Sequence, residues 1–203
     1  MNILHRYEGK NLEILKEQYL KELGVSSSDL YIITTEEEAG LFKGKKYIVE
    51  VLTKEDIKKA IKEFMIQLGK NMGIDINSEI RIEDHNINIL LVTSNNNIMI
   101  GKEGKTLNSI QIVLKQSLQE LNRFNLKINL DVGDYKAKKI KNLEREVKNI
   151  CKEVLKTKVE VKLDPMNSYE RRKVHSIVGE FENLQSISYG EEPNRYTVIK
   201  IKD

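Results

Sequence analysis

Gly101-Lys102-Glu103-Gly104, with Lys105 directly behind it, is the stretch of this chain best suited to holding another polymer. Glycines at this spacing let a backbone turn come within van der Waals reach of a partner, because a residue without a Cβ accepts dihedrals that others resist. Backbone N–H groups at the head of the helical pattern that follows favour anions. Lys102 and Lys105 add cations beside them, and Glu103 opposes them. The chemistry on offer is a grip on a phosphate backbone. A bare Gly-x-x-Gly also makes an ordinary turn, so the flanks carry the weight: Ile98-Met99-Ile100 before it and a strong helical pattern after it. Ile98 and Ile100 are candidates for an apolar groove wall, and Ile100 suits the core equally well. Bases held beside this turn are expected to cross a groove between the following helix and the run Ile87 to Thr93.

A second constellation lies near the carboxyl terminus. Arg171 and His175 are four apart and so share one helical face. The planar fork of Arg171 matches a phosphate and can stack on a base, while His175 can donate to phosphate or stack. Arg172 and Lys173 would extend a basic rim. The competing arrangement is internal: His175 bonded to a backbone carbonyl and Arg171 paired with Glu170 or Glu191. Lys136, Lys138, Lys139 and Lys141 are either a solvated helix face or a source of sequence-independent attraction for nucleic acid. Tyr169, Tyr189 and Tyr196 are candidates for stacking. Catalytic chemistry finds little to work with. Metal sites gather His, Cys, Asp or Glu, and here His5, His85 and His175 lie in separate regions, the first two as surface or turn residues. No Ser–His–Asp spacing or phosphate-cradling P-loop is present. No catalytic residue, metal or cofactor is expected. Cys151, the only cysteine, excludes a disulfide within one chain and falls in an apolar helical stripe as a core filler.

These groups need scaffolds, and composition says which kind. The chain has 203 residues, 39% hydrophobic and 32% charged, with 6% aromatics and no Trp. Its cores must be built of Ile, Leu and Val, which suits small α+β modules. The net charge of +3 is too small to imply nucleic-acid binding by itself. Its distribution is uneven: the first 53 residues lean acidic and the segment from Asp134 leans basic. No apolar run approaches the ~20 residues that span a bilayer, and His5, Arg6 and Glu8 interrupt any signal-like stretch. A cytoplasmic protein is expected.

Hydrophobic periodicity divides the chain into three modules. Residues 1–52 read as β-α-β-β: a strand at Ile3 to Glu8, a helix carrying Leu12, Leu15, Tyr19 and Leu23 with Gly24 as C-cap, a strand from Asp29 to Thr35, a turn at Gly40 to Gly44, and a strand from Lys45 to Leu52. Residues 53–133 open with a helix capped by Thr53 and closed by Gly73. Strands follow at Glu79 to Glu83 and Ile87 to Thr93, then a short helix, the Gly-x-x-Gly turn, one long helix carrying Leu107, Ile110, Leu114, Leu118 and Leu121, and a strand at Leu126 to Val132. Residues 134–203 begin with a long helix. A strand at Val159, Val161 and Leu163 precedes a helix starting at Asn167, where Glu170 three residues later makes a capping box. Strands at Leu184 to Tyr189 and Tyr196 to Ile201 close the chain.

The middle module, read as α-β-β-α-Gly-x-x-Gly-α-β, resembles the bacterial (type II) KH domain over its whole length. Asp164-Pro165-Met166-Asn167 followed by Glu170-Arg171-Arg172-x-Val174-His175, with Gly190-Glu191-Glu192-Pro193 later, resembles an R-3-H (Arg-x-x-x-His) domain. Glu8-Gly9-Lys10, Glu22-Leu23-Gly24-Val25 and the turn Glu38-Ala39-Gly40-Leu41-Phe42-Lys43-Gly44 are similar to the Jag amino-terminal module. In that order the modules resemble the Jag family, also called KhpB or SpoIIIJ-associated proteins. Two departures are visible: the Gly40 turn has lost positive charge, and Ser94-Asn95-Asn96 stands where family members often have Gly-Asp-Asp. The resemblance implies a single-stranded RNA-binding protein, with single-stranded DNA as an alternative ligand. It implies a post-transcriptional regulator or RNA chaperone tied to bacterial cell elongation, division or sporulation. Nucleic-acid contacts then fall to Ile100, Gly101, Lys102, Glu103, Gly104, Lys105, Arg171, Arg172 and His175. The resemblance also implies a small stand-alone KH protein as partner, and a membrane-associated partner near the membrane-protein insertase reached through the amino-terminal module, without insertion into the membrane. The alternative is an interaction adaptor for which RNA is secondary.

Overall fold

The computed structural model describes residues 3–38 and 45–202. The Gly40 to Gly44 turn lies outside the described residues. The chain forms two compact units, Met1–Gly133 and Asp134–Asp203.

The first unit opens with β1 (His5–Gly9), α1 (Leu12–Leu23), β2 (Leu30–Glu38) and β3 (Lys45–Thr53), in a sheet of order β1-β3-β2. Both pairings are antiparallel. Helix α1 starts where the Asn11 side chain accepts from the Glu13 N–H at 2.8 Å and stops at Gly24. Strand β3 is buried on both faces. Tyr47, Val49 and Val51 join Leu15 and Tyr19 of α1 in one apolar cluster. Ile48, Glu50 and Leu52 are buried on the opposite face.

Thr53 ends β3 and at once caps α2 (Lys54–Met72), its hydroxyl oxygen accepting from the Asp56 N–H at 2.9 Å. Ile57, Ala60, Ile61 and Met65 form the buried stripe of α2. Then come β4 (Ile76–Glu83), β5 (Asn86–Thr93), α3 (Asn96–Ile100), α4 (Lys105–Ser117), α5 (Glu120–Arg123) and β6 (Lys127–Val132). The second sheet has the order β4-β5-β6, with β4 antiparallel and β6 parallel to the central β5. The expected single long helix after the turn breaks at Leu118, whose φ of −118° and ψ of 41° leave the helical region. Leu118 and Leu121 are both buried, so apolar spacing continues across the break and hides it from a periodicity reading.

The amino-terminal sheet is fastened to this second layer. Glu50, buried on β3, accepts both forks of the Arg123 guanidinium from α5, one at 2.8 Å. The Tyr31 hydroxyl donates to the Asp84 carbonyl in the β4–β5 turn. His5 Nε2 lies 2.9 Å from Asp56 Oδ2. His5 is therefore a half-buried linking residue, contrary to its expected place on the surface; His85 does sit exposed in the turn.

The second unit comprises α6 (Tyr135–Thr157), β7 (Val161–Lys162), α7 (Ser168–Val178), β8 (Leu184–Tyr189) and β9 (Tyr196–Ile201). The sheet order is β7-β9-β8, all antiparallel. Val147, Cys151 and Val154 of α6 meet Val174, Ile177 and Val178 of α7 and Leu184 and Ile199 of the sheet in one core. Cys151 is fully buried there, and burial raises its thiol pKa. The strand expected over Val159, Val161 and Leu163 shrinks to two residues. Lys158 ends α6 in a left-handed conformation, Val159 stays exposed, and Pro165 offers no N–H to prolong the ladder.

Candidate nucleic-acid interface

The Gly-x-x-Gly turn joins α3 to α4. Asn95 starts α3, its side-chain oxygen accepting from the Ile98 N–H at 3.3 Å. Within this short helix Met99 is fully buried, Ile98 is exposed, and Ile100 is half-buried. The sequence placed Ile98 and Ile100 as the candidates for core or groove. Met99 takes the core position, and the exposed flank of α3 leaves Ile98 at the surface.

Gly101 has φ 70° and ψ −178°, an extended conformation of left-handed sign reserved in practice for glycine. A Cβ built there would lie 2.1 Å from Thr106 Oγ1 and 2.7 Å from Thr106 Cβ. Two constraints, dihedral and space, thus demand glycine. Glu103 and Gly104 also take positive φ, 57° and 84°. Successive residues on that side of φ turn the chain sharply onto α4. Gly104 is the N-cap of α4 and has no side chain with which to cap it; the Lys105 N–H turns back to the Lys102 carbonyl, and the positive end of the helix faces the turn. Lys102 and Glu103 are exposed, and Lys105 Nζ lies 3.9 Å from a Glu103 oxygen. At these exposures such a pair is weak and yields readily to a competing anion.

Strand β5 (Asn86–Thr93) is central, with both edges hydrogen-bonded. The strand next to α4 is β6, and the Leu130 N–H donates to Gln111 Oε1 of α4 at 3.0 Å. An apolar strand between two turns looks the same from sequence whether it is central or an edge. Ile112 and Val113 on the outer side of α4 are exposed.

In the second unit the expected capping box is present. Asn167 Oδ1 accepts from the Tyr169 and Glu170 N–H groups, and Glu170 Oε2 accepts from the Asn167 N–H, all at 3.0 Å. Lys139 of α6 pairs with the same Glu170 at 2.6 Å. Arg171 and His175 share a face of α7, but that face points into the fold. Arg171 is 8% exposed. Its Nε donates to the Met166 carbonyl at 3.3 Å and a terminal nitrogen to Glu192 Oε1 at 2.8 Å. His175 Nδ1 lies 2.7 Å from Ser186 Oγ and Nε2 lies 2.9 Å from Ser188 Oγ. Ser188 in turn reaches Thr197 Oγ1 at 3.1 Å. Serine hydroxyls can donate to one ring nitrogen and accept from the other, so a neutral imidazole is fully satisfied. Burial lowers the His175 pKa, and the charges of Arg171 and Arg195 lower it further. The free Arg171 fork expected from sequence is thus occupied. Its partner is Glu192, neither Glu170 nor Glu191, and His175 meets hydroxyls rather than a carbonyl. Of the five residues singled out on this helix, Tyr169, Arg171, Arg172, Lys173 and His175, only Tyr169 and Arg172 are exposed. Lys173 is half-buried, 3.9 Å from Glu144.

Among the described residues no group of His, Cys, Asp and Glu is arranged to hold a metal ion. No helix there is long and apolar enough to cross a membrane.

The two sites fall within recognised domain types. A KH domain matches residues 56–133 and an R-3-H domain matches residues 141–200, so the chain is of the class that joins a KH domain to an R-3-H domain. It is 31% identical over 198 residues to the RNA-binding protein KhpB of Clostridium symbiosum, covering 95% of this chain and 89% of that relative. It is 25% identical over 200 residues to the RNA-binding protein KhpB of Bacillus subtilis (strain 168), covering 96% of each. The KhpB of Streptococcus pneumoniae serotype 2 is 24% identical over 196 residues, 95% of this chain but 60% of that longer relative. The chain belongs to the KhpB (Jag) family.

Proposed function

We propose that this chain binds single-stranded RNA through the Gly101–Lys105 turn of a KH domain, with the R-3-H domain adding a second contact. The observation that carries the reading is Gly101. A residue forced to be glycine by dihedral and by Thr106, followed closely by two exposed lysines and by the uncapped helix that opens at Gly104, is built for a close-approaching backbone. KH domains use such a turn to clamp about four nucleotides. The names of the relatives, RNA-binding proteins, agree with it. Phosphates lie along Gly101, Lys102, Gly104 and Lys105, Glu103 tempers their affinity, and Ile100 supports the groove wall. Arg172 faces the nucleic acid from α7, whereas Arg171 and His175 position the β8–β9 hairpin that carries further contacts.

Three functional modules, residues 1–52, 53–133 and 134–203, divide the work. The KH and R-3-H modules bind RNA in tandem, each weak alone and stronger when linked. The amino-terminal module meets protein partners: a small stand-alone KH protein and a membrane-associated protein. The family resemblance supports a cytoplasmic regulator or RNA chaperone in cell elongation, division or sporulation, acting without catalysis.

The test is anisotropy of labelled single-stranded RNA against the full chain at graded salt. Wild-type binding should weaken with a log–log slope near ~0.7 per neutralised phosphate. The Gly101→Asp, Gly104→Asp double variant should lose most of it. A folded double variant that binds as well as wild type removes the turn from the mechanism.

A further inference from the structure

In the second unit the most suggestive cation, Arg171, is committed to Glu192 and Met166. The open face of the sheet carries a different set of groups. Both helices share a core with the inner face, where Leu184 and Ile199 are buried. Strand alternation then sends Tyr189, Ile187, Tyr196 and Val198 to the outer face. Tyr189 and Tyr196 are cross-strand partners with ring centroids 6.1 Å apart and an interplanar angle of 33°. Tyr189 is 44% exposed. Lys162, from the neighbouring edge strand β7, holds its Nζ 4.0 Å from the Tyr196 ring centroid. None of the residues in β7, β8 or β9 is acidic. Of the two carboxylates in the hairpin turn, that of Glu192 is neutralised by Arg171 and that of Glu191 is exposed.

We infer that the outer end of the β8–β9 hairpin is a base-stacking subsite for single-stranded nucleic acid, with Tyr189 as the platform and Lys162 as the cation for the adjoining phosphate. An exposed aromatic on an open sheet face, backed by a second aromatic and flanked by a lysine with no carboxylate in the strands, complements a nucleobase and its phosphate. It does not match an apolar peptide, which would meet the lysine as a desolvation cost. Arg171 and His175 act through this subsite as positioning residues. The Arg171–Glu192 pair ties α7 to the hairpin turn, and His175 ties it to β8 through Ser186 and Ser188.

This inference rests on the RNA-binding reading, and one experiment separates the two. Full-length wild type, Tyr189→Ala, Tyr189→Phe, Lys162→Gln and the Gly101→Asp, Gly104→Asp variant are titrated with a labelled uridine dodecamer at low salt. A matched oligomer with abasic positions is run alongside. Because the chain has no Trp and eight Tyr, quenching of tyrosine emission reports stacking directly. Tyr189→Ala should weaken binding roughly five- to a hundredfold, the worth of one stacked base. Tyr189→Phe should retain affinity, Lys162→Gln should fall between, and the abasic oligomer should not distinguish wild type from Tyr189→Ala. Circular dichroism confirms that each variant is folded, and a misfolded alanine variant hands the decision to the quenching of wild type. Wild-type binding with the glycine variant defective but Tyr189→Ala unchanged, or with no tyrosine quenching, overturns the subsite and leaves the KH reading standing. Failure of wild type to bind either oligomer overturns both.

Discussion

Gly101 and His175 each turn a single atom's surroundings into a measurable quantity. A methyl group at position 101 would strike Thr106 and occupy a backbone conformation that L-residues avoid. Gly101→Ala should therefore lower stability by about 1–3 kcal/mol, read from urea melts of the full chain, and should weaken RNA binding with it. His175 gives a pH dependence whose sign follows from its depressed pKa. The unfolded imidazole takes a proton near pH ~6.5 while the folded ring resists it. The stability tied to this residue is fully present above that pH and is lost as pH falls toward the lower folded value. Melting temperature of the Asp134–Asp203 unit should drop between pH 8 and pH 5.5, and His175→Gln should flatten that part of the profile. A profile that is unchanged in the variant would mean another group titrates.

At the scale of elements, local chemistry was readable and spatial order was not. Gly24, Thr53, Gly73 and the Asn167–Glu170 box all mark helix ends where their residue types indicate. Asn167→Ala should cost about 1 kcal/mol, because the N–H groups of Tyr169 and Glu170 lose their acceptor; thermal melts of the variant check this. Cap signals are legible because they involve contacts within a few residues. By contrast, the break at Leu118, the central place of β5 and the role of Glu50 depend on partners far along the chain. Glu50 in Tyr47-Ile48-Val49-Glu50-Val51-Leu52 looks like an ordinary outward residue of a half-buried strand. The near-continuous apolar run was the available sign that both faces are covered. Arg171 and His175 illustrate the same limit at the candidate site. Their shared face was legible, but which way it pointed depended on Glu192, Ser186 and Ser188, eleven to twenty-one residues downstream.

At the scale of the whole molecule, the amino-terminal sheet is part of the first compact unit. A chain starting at Thr53 would lack Glu50, which receives Arg123, His5, which meets Asp56, and Tyr31, which holds the β4–β5 turn. Removing residues 1–52 should lower the melting temperature of the remaining KH portion by several degrees in calorimetry. An unchanged transition would show that these contacts contribute nothing to its stability. Thr53 has a mechanical consequence as well. The same residue finishes β3 and opens α2, so no slack separates the first sheet from that helix. A load applied to that sheet, by a tether or a docked neighbour, is delivered directly to α2 as a tug on a rigid rod.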